Sequence, residues 1–368
     1  MNGDAASAVP DTRQRAASGD VVISIDAMGG DMGVAEVVRG MGMSLDKNPR
    51  LRFILHGDEA ALGPLIRKNA ALAARTEIRH ADSVIAMDEK PSKALRRAKG
   101  SSMSNALEAV RTGESEVAIS CGNTGALMAF SMLQLRKAPG VDRPAIAILW
   151  PSANPGGHNI LLDAGADIRA DADDLLTYAL MGASYARNAS GLARPRIGLL
   201  NVGTEEHKGR AELHDAAERI AAASEAGEFE YIGYVEGTDM ASDRVDVIVT
   251  DGFTGNIALK TAEGTARMIR EQLEQAFAYS PLSRIGALFA LTSLKRLQKR
   301  IDPRRVNGGV FLGLNGTVIK SHGGADATGI SAAIKLAFTL AEIGFSHRLA
   351  ERVAAFAPPR PADEGAAR

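Results

Sequence analysis

The chain has 368 residues, 45% of them hydrophobic and 24% charged, with a formal net charge of −1. That suits one large globular domain or two small ones with ample core, and it leaves no global field to favour nucleic acid or an acidic membrane. A single cysteine excludes an internal disulfide and a cysteine-rich metal site; no run of 18 apolar residues offers a membrane span, and residues 1–19 lack a signal-peptide core, so the reading is cytosolic.

In chain order, residues 1–19, rich in Ala, Ser, Asp and Arg, read as a disordered tail, and 357–368 as a second one; 20–356 reads as a single domain. Strands are predicted at Val21–Asp26, Leu51–His56, Thr76–His80, Glu116–Ser120, Ala145–Trp150, Asn159–Asp163, Arg196–Asn201, Glu230–Val235 and Val245–Thr250. Helices are predicted at Val34–Leu45, Asp58–Leu72, Ser102–Thr112, Thr124–Leu135, Ala172–Asn188, Ala211–Ala226 and Asn256–Phe277. Alternating strands and helices imply a mostly parallel sheet covered on both faces, hence an α/β fold.

The last third departs from that rhythm. Pro281 interrupts a long helical pattern and a second helix, Leu282–Arg300, follows, so 256–300 reads as a helical hairpin. Leu288 and Phe289 near its turn are followed by Lys295, Arg296, Lys299 and Arg300. Such a face suits an anionic membrane surface or an acidic partner protein, and equally a dimer interface or ordinary packing.

Four segments share the layout strand, glycine-bearing polar loop, helix: Asp26–Asp31, Ser120–Ala126, Asn201–Gly209 and Asp251–Asn256. In a parallel sheet such loops gather at the carboxyl edge, where helix N-termini offer amides and a positive dipole end to an anion. A tight turn alone would also want glycine; four loops that each add Asn, Asp or Thr favour an anion site. Lys208 and His207 lie in the third loop, and Lys320 and His322 in Ile319–Asp326; lysine is a point charge for phosphate and histidine a proton donor near neutral pH. No Rossmann fingerprint, Walker loop, nucleophile elbow or histidine pair with metal spacing is present in the sequence, so no metal or cofactor is expected. Cys121 reads as a small buried residue.

These motifs, together and in this order, resemble the PlsX family, phosphate acyltransferases that act on acyl carrier protein thioesters. The resemblance runs from about Val21 to Phe345 and rests on Asp26-Ala-Met-Gly-Gly-Asp31, Gly100-Ser-Ser-Met103, Gly122-Asn-Thr-Gly-Ala-Leu-Met128, Leu162-Asp-Ala-Gly165, Leu199-Leu-Asn-Val-Gly203 with Glu206 and Lys208-Gly209, Val235-Glu-Gly237, Asp251-Gly-Phe-Thr-Gly-Asn256, and Gly313–Gly323. Cys121 stands where the family has a small residue such as Ala, and Asp167 where it commonly has Asn. The resemblance implies a Rossmann-like three-layer α/β/α sandwich, a homodimer with peripheral contact to an anionic membrane, and the reaction of acyl carrier protein thioester with inorganic phosphate, early in phospholipid synthesis.

For that reaction the expected division of labour is as follows. Amides of Gly29, Gly30, Gly122, Asn123, Thr124 and Gly125, with Lys208 or Lys320, hold phosphate. Asn256 and Asn123 donate to the oxyanion, His322 protonates the leaving thiol, and Asp251 orients a partner or the pantetheine arm. The hairpin residues Leu288, Phe289, Lys295, Arg296, Lys299 and Arg300 meet carrier protein or lipid. The rival readings are a nicotinamide-dependent decarboxylating dehydrogenase of related fold and a non-catalytic carrier-protein-binding membrane scaffold.

Overall fold

The structure, a computed structural model, describes residues 19–301 and 308–356; of 295–301 it describes the helical backbone only. The tails expected at 1–19 and 357–368 lie, but for Gly19, outside the described residues. In chain order the strands are β1 (Val21–Asp26), β2 (Leu51–Gly57), β3 (Thr76–His80), β4 (Val117–Ser120), β5 (Ala145–Pro151), β6 (His158–Leu162), β7 (Arg196–Leu200), β8 (Glu230–Val235), β9 (Val247–Val249), β10 (Gly309–Leu312) and β11 (Thr317–Lys320). All nine predicted strands form, within two residues at each end. β10 and β11 were not foreseen: each is four residues long and follows a glycine, too short to show an alternation.

Backbone contacts group the chain into two compact units. The first runs to Leu135 and adds Gly316–Glu342; the second is Arg136–Asn315 with the residues from Ile343 on. The strands of the first unit lie in the order β3-β2-β1-β4-β11, all parallel. Every residue of β1 is buried, and helices Ser102–Arg111 and Ala327–Glu342 both pack on it, as a parallel sheet requires. In the second unit the order is β10-β5-β6-β9-β7-β8. There β6, β9, β7 and β8 run parallel, while β5 is antiparallel to both β6 and β10.

Helix starts follow local chemistry. Asp171 and Asp174 form a reciprocal capping box at helix Ala172–Ser190, and Gly191, at φ 70°, ends it in the left-handed conformation. The helix predicted over Asp58–Leu72 breaks into Glu59–Ile66 and Ala70–Ala73, because the Asn69 side chain caps a new start by accepting from the Leu72 amide. The hairpin is confirmed as helices Gly252–Ala278 and Pro281–Ile301, which pack on each other. Among the described residues no single helix is long and apolar enough to cross a membrane.

One core group titrates with folding. His56 on β2 is 1% exposed, and its Nε2 shares a 3.0 Å hydrogen bond with Ser24 Oγ. Burial, helped by the Arg79 charge and opposed by Glu114, pushes its imidazole down to about 4 from the ordinary 6.5. The unfolded chain therefore takes up this proton near pH 6.5 and the folded chain only near pH 4. The contribution is fully present above the higher value and is lost as pH falls towards the lower one, by about 3 kcal/mol at the limit. Urea unfolding at pH 7.5 and pH 5 should show this loss, and His56→Gln should flatten it; an unchanged pH slope in the variant would show that His56 does not carry it.

Candidate active site

In the first unit three loops leave the carboxyl ends of the adjacent strands β1, β4 and β11, and a buried carboxylate ties two of them together. Asp26, 1% exposed, ends β1 and accepts from the Ser120 hydroxyl at 2.7 Å and the Met28 amide at 3.2 Å. Ser120 Oγ in turn accepts from the Gly122 amide at 3.0 Å. Burial pushes the Asp26 carboxyl up, and the neighbouring Ser102 and Ser120 hydroxyls and the Met28 and Gly29 amides pull it back. Gly29 lies in the angle: a Cβ there would come within 2.5 Å of Asp26 Oδ2 and 2.8 Å of the Gly122 backbone. Gly30 packs on Cys121, and the Asp31 amide donates to Gly323 O at 2.8 Å, which binds the β11 loop to the same cluster.

The structure thus brings Gly29, Gly30, Gly122, Asn123, Thr124, Gly125, Lys320 and His322 onto one set of loops. Lys320 Nζ donates to Cys121 O at 3.2 Å and to Ser321 O. His322 is exposed, and its Nδ1 accepts from the Gly324 amide at 3.1 Å, so the neutral ring carries its proton on Nε2. Asn123 is placed otherwise than expected. Its Oδ1 caps helix Thr124–Gln134 by accepting from the Ala126 amide, and its Nδ2 donates to Met87 O and Glu89 O, each at 2.8 Å. That commits the side chain to a cap and a loop anchor and corrects its assignment as an oxyanion donor. The first-turn amides of Thr124 and Gly125 have no intrahelical acceptor. Cys121 is 3% exposed and burial pushes its thiol up to about 11, so it stays protonated.

The second unit repeats the device. Asp163 follows β6 with no exposed surface. Its two oxygens accept from the amides of Ile146, Gly165, Ala166 and Asp167, at 2.7 to 3.1 Å. Burial pushes this carboxyl up to about 6 against those donors. The loop after β9 packs on it: a Cβ at Gly252 would stand 2.5 Å from Asp163 Oδ2, and at Gly255 it would overlap the Asp163 carbonyl. Asp251 caps helix Gly252–Ala278 by accepting from the Thr254 amide at 2.7 Å, and its other oxygen pairs with Arg210 of the loop after β7. Asp251 is therefore a joint between loops. Asn256 is exposed beside Gly165, whose φ is 128°. Lys208 reaches Glu205 at 2.7 Å across an exposed loop, which pulls the ammonium pKa up; Asn201 holds that loop by donating to Lys208 O at 2.9 Å. The carboxylate of Asp167 lies within 3.3 Å of the Tyr178 hydroxyl and 4.0 Å of Arg143, so the departure from Asn at this position serves the loop's own packing.

The sequence reading singled out the glycines and passed over Asp26, Ser120, Asp163 and Arg210 as site-builders. Asp at the last position of the buried strand Val21–Asp26, and again just past the apolar run Ile160–Leu162, is the signal that could have found the two carboxylates. Leu288 and Phe289 on the hairpin are 65% and 88% exposed, which removes ordinary packing within the described chain as their explanation. The side chains of Lys295, Arg296, Lys299 and Arg300 lie outside the described residues.

Two units with parallel strands, glycine-rich loops and buried aspartates at strand ends define an α/β fold of the phosphotransacetylase kind. Among solved structures, a phosphotransacetylase from Streptococcus pyogenes matches with a TM-score of 0.57 at 16% identity, covering 90% of this chain and 99% of that one. A branched-chain phosphotransacylase from Enterococcus faecalis V583 matches with a TM-score of 0.55 at 14% identity over 87% and 99%. Residues 21–348 match the family described as fatty acid synthesis protein. The phosphate acyltransferases of Paracoccus denitrificans (strain Pd 1222) and Jannaschia sp. (strain CCS1) are 66% and 67% identical, over 95% and 92% of this chain and 95% and 93% of theirs. The chain belongs to this family of phosphate acyltransferases.

Proposed function

We propose that the chain transfers a fatty acyl group from acyl carrier protein to inorganic phosphate, giving an acyl phosphate for phospholipid synthesis and the carrier thiol. The observation that carries the reading is the glycine and amide cluster around Asp26, in a chain 66% identical to a named phosphate acyltransferase. A phosphate oxygen attacks the thioester carbonyl, the C–S bond breaks, and the thiolate takes a proton. Phosphate at neutral pH is already anionic, so holding and aiming it supplies much of the rate, up to about 7–11 kcal/mol. The amides of Gly29, Gly30, Gly122, Thr124 and Gly125, with Lys320, serve that purpose. His322, as the imidazolium, is the acid for the thiol and is left as the neutral ring. Asn256 is the remaining side-chain donor to the oxyanion, and one such donor is worth about 3–4 kcal/mol. Asp251 caps the helix that carries Asn256 and pairs with Arg210. Cys121, protonated and buried, takes no part, and no covalent enzyme intermediate is needed.

Incubation with palmitoyl carrier protein and phosphate, then hydroxylamine, should give a hydroxamate only when phosphate is present; its absence would overturn the reading. Asn256→Ala should lower kcat at least tenfold in that assay with little change in the KM for phosphate, and wild-type turnover would remove Asn256 from the list.

The hairpin supports two further assignments within this reading. Leu282, Leu288 and Phe289, 77%, 65% and 88% exposed, are the contact with an anionic membrane, and Lys295, Arg296, Lys299 and Arg300 follow them in the sequence. Phe253, Ile257, Met268 and Ile269, all exposed on helix Gly252–Ala278, face a second copy of the chain. Leu288→Glu with Phe289→Glu should cut flotation with vesicles containing anionic lipid at least fivefold; undiminished flotation would exclude the tip as the anchor.

A further inference from the structure

Ten residues of the first unit carry five cations and no anion: Lys90, Lys93, Arg96, Arg97 and Lys99. All five are exposed, on and just beyond helix Pro91–Arg96. Beside them lies a cavity of about 380 Å³ whose walls include Leu95, Arg96, Lys99, Asn105 and Gln134. The one acid on its wall, Glu108, is held by both ends of the Arg111 guanidinium. Gln134 donates to Ser104 Oγ at 2.7 Å, while its carbonyl oxygen is buried with no partner among the described residues. A buried acceptor without a donor is costly, and it marks a place where a ligand's N–H or O–H is missing.

This patch is tied to the phosphate loops. The Asn123 side chain grips the carbonyls of Met87 and Glu89, just ahead of the basic run. Pro91 lies over Gly125, close enough that a Cβ there would meet its ring at 2.8 Å. Whatever docks on 90–99 therefore sits against the start of helix Thr124–Gln134.

From this we infer that Lys90–Lys99 is the docking surface for the acidic carrier protein, with the phosphodiester of its pantetheine arm taken between Arg96 and Lys99 at the mouth of the cavity. The inference rests on the acyl-donor reading above and moves carrier docking off the hairpin. Charge complementarity names the protein surface, and the cavity names the arm: its amides supply the donor that Gln134 lacks, and its phosphodiester the charge that two cations await. A membrane fits less well, since the exposed apolar surface in the stretch is Leu95 alone, 37% exposed, beside a concavity.

The test is the fourfold reversal Lys93→Glu, Arg96→Glu, Arg97→Glu and Lys99→Glu, assayed with palmitoyl carrier protein and with the uncharged thioester palmitoyl-N-acetylcysteamine. The ratio of kcat/KM for the two substrates should fall at least tenfold, and its steep dependence on salt should flatten. A ratio equal to wild type overturns the proposal, as does reduced flotation on anionic vesicles with the ratio unchanged, which would make the patch a lipid contact. Anisotropy of labelled holo-carrier protein reads docking without catalysis. If the wild-type chain binds it and the reversed chain does not, the surface stands even where no acyl phosphate forms, and only the reaction reading falls. If the wild-type chain does not bind it, the surface falls.

Discussion

Asp163→Ala should cost about 4 kcal/mol of stability. The carboxylate is fully buried and is the acceptor for the amides of Ile146, Gly165, Ala166 and Asp167. Alanine leaves those donors buried without partners, and a stranded donor costs about 1–3 kcal/mol, less where water or relaxation reaches it. It also opens a hole under Gly252 and Gly255, whose close approach shapes the start of helix Gly252–Ala278. Asp163→Asn keeps the shape and one acceptor oxygen but turns an NH2 group towards amide donors, so about half the loss is expected. Urea midpoints at constant m measure both; a loss below about 1 kcal/mol for alanine would show that the loop holds itself without the carboxylate.

The second large effect is on the reaction. Gly29→Ala should raise the KM for phosphate at least tenfold and lower stability by about 2 kcal/mol. The new methyl would stand 2.5 Å from Asp26 Oδ2 and 2.8 Å from Gly122 N and Cα. None of these is the end of a flexible side chain: Asp26 is held by Ser120 and the Met28 amide, and Gly122 is backbone. The two loops must separate, which spreads the amides that converge on the anion, and overpacking of this kind costs about 1–3 kcal/mol. Gly237→Ala is the control, since a Cβ there meets nothing within 4 Å. An unchanged KM at position 29 would place the phosphate elsewhere.

Much of the fold was legible because its signals are local. The strand Val21–Asp26 and the helix Val34–Leu45 have the predicted bounds, since a short run rich in Val and Ile and a 3.6-residue period need no distant partner to be read. β10 and β11 were not legible, because four residues after a glycine become a strand only when neighbouring strands supply the hydrogen bonds. The antiparallel entry of β5 is of the same kind: direction is a property of a pair of strands. At the site, glycine and asparagine marked the loops, but an asparagine reads alike whether it waits for substrate or caps a helix. Asn123 turned out to hold Met87, Glu89 and Ala126, whereas Asn256 stayed exposed.

The sequence by itself determined the α/β class, the glycine loops and, through 62–67% identity to named relatives, the family. Those follow from composition, period and order along the chain. The tertiary structure alone decided that Asp26 and Asp163 are the two joints on which the loops are built. It also decided that Lys208 faces Glu205, and that the cations of 90–99 gather beside a cavity. A carboxylate's role depends on what folding brings to it: Asp26 takes the Ser120 hydroxyl from 94 residues away, and Asp163 takes the Ile146 amide from 17 residues away.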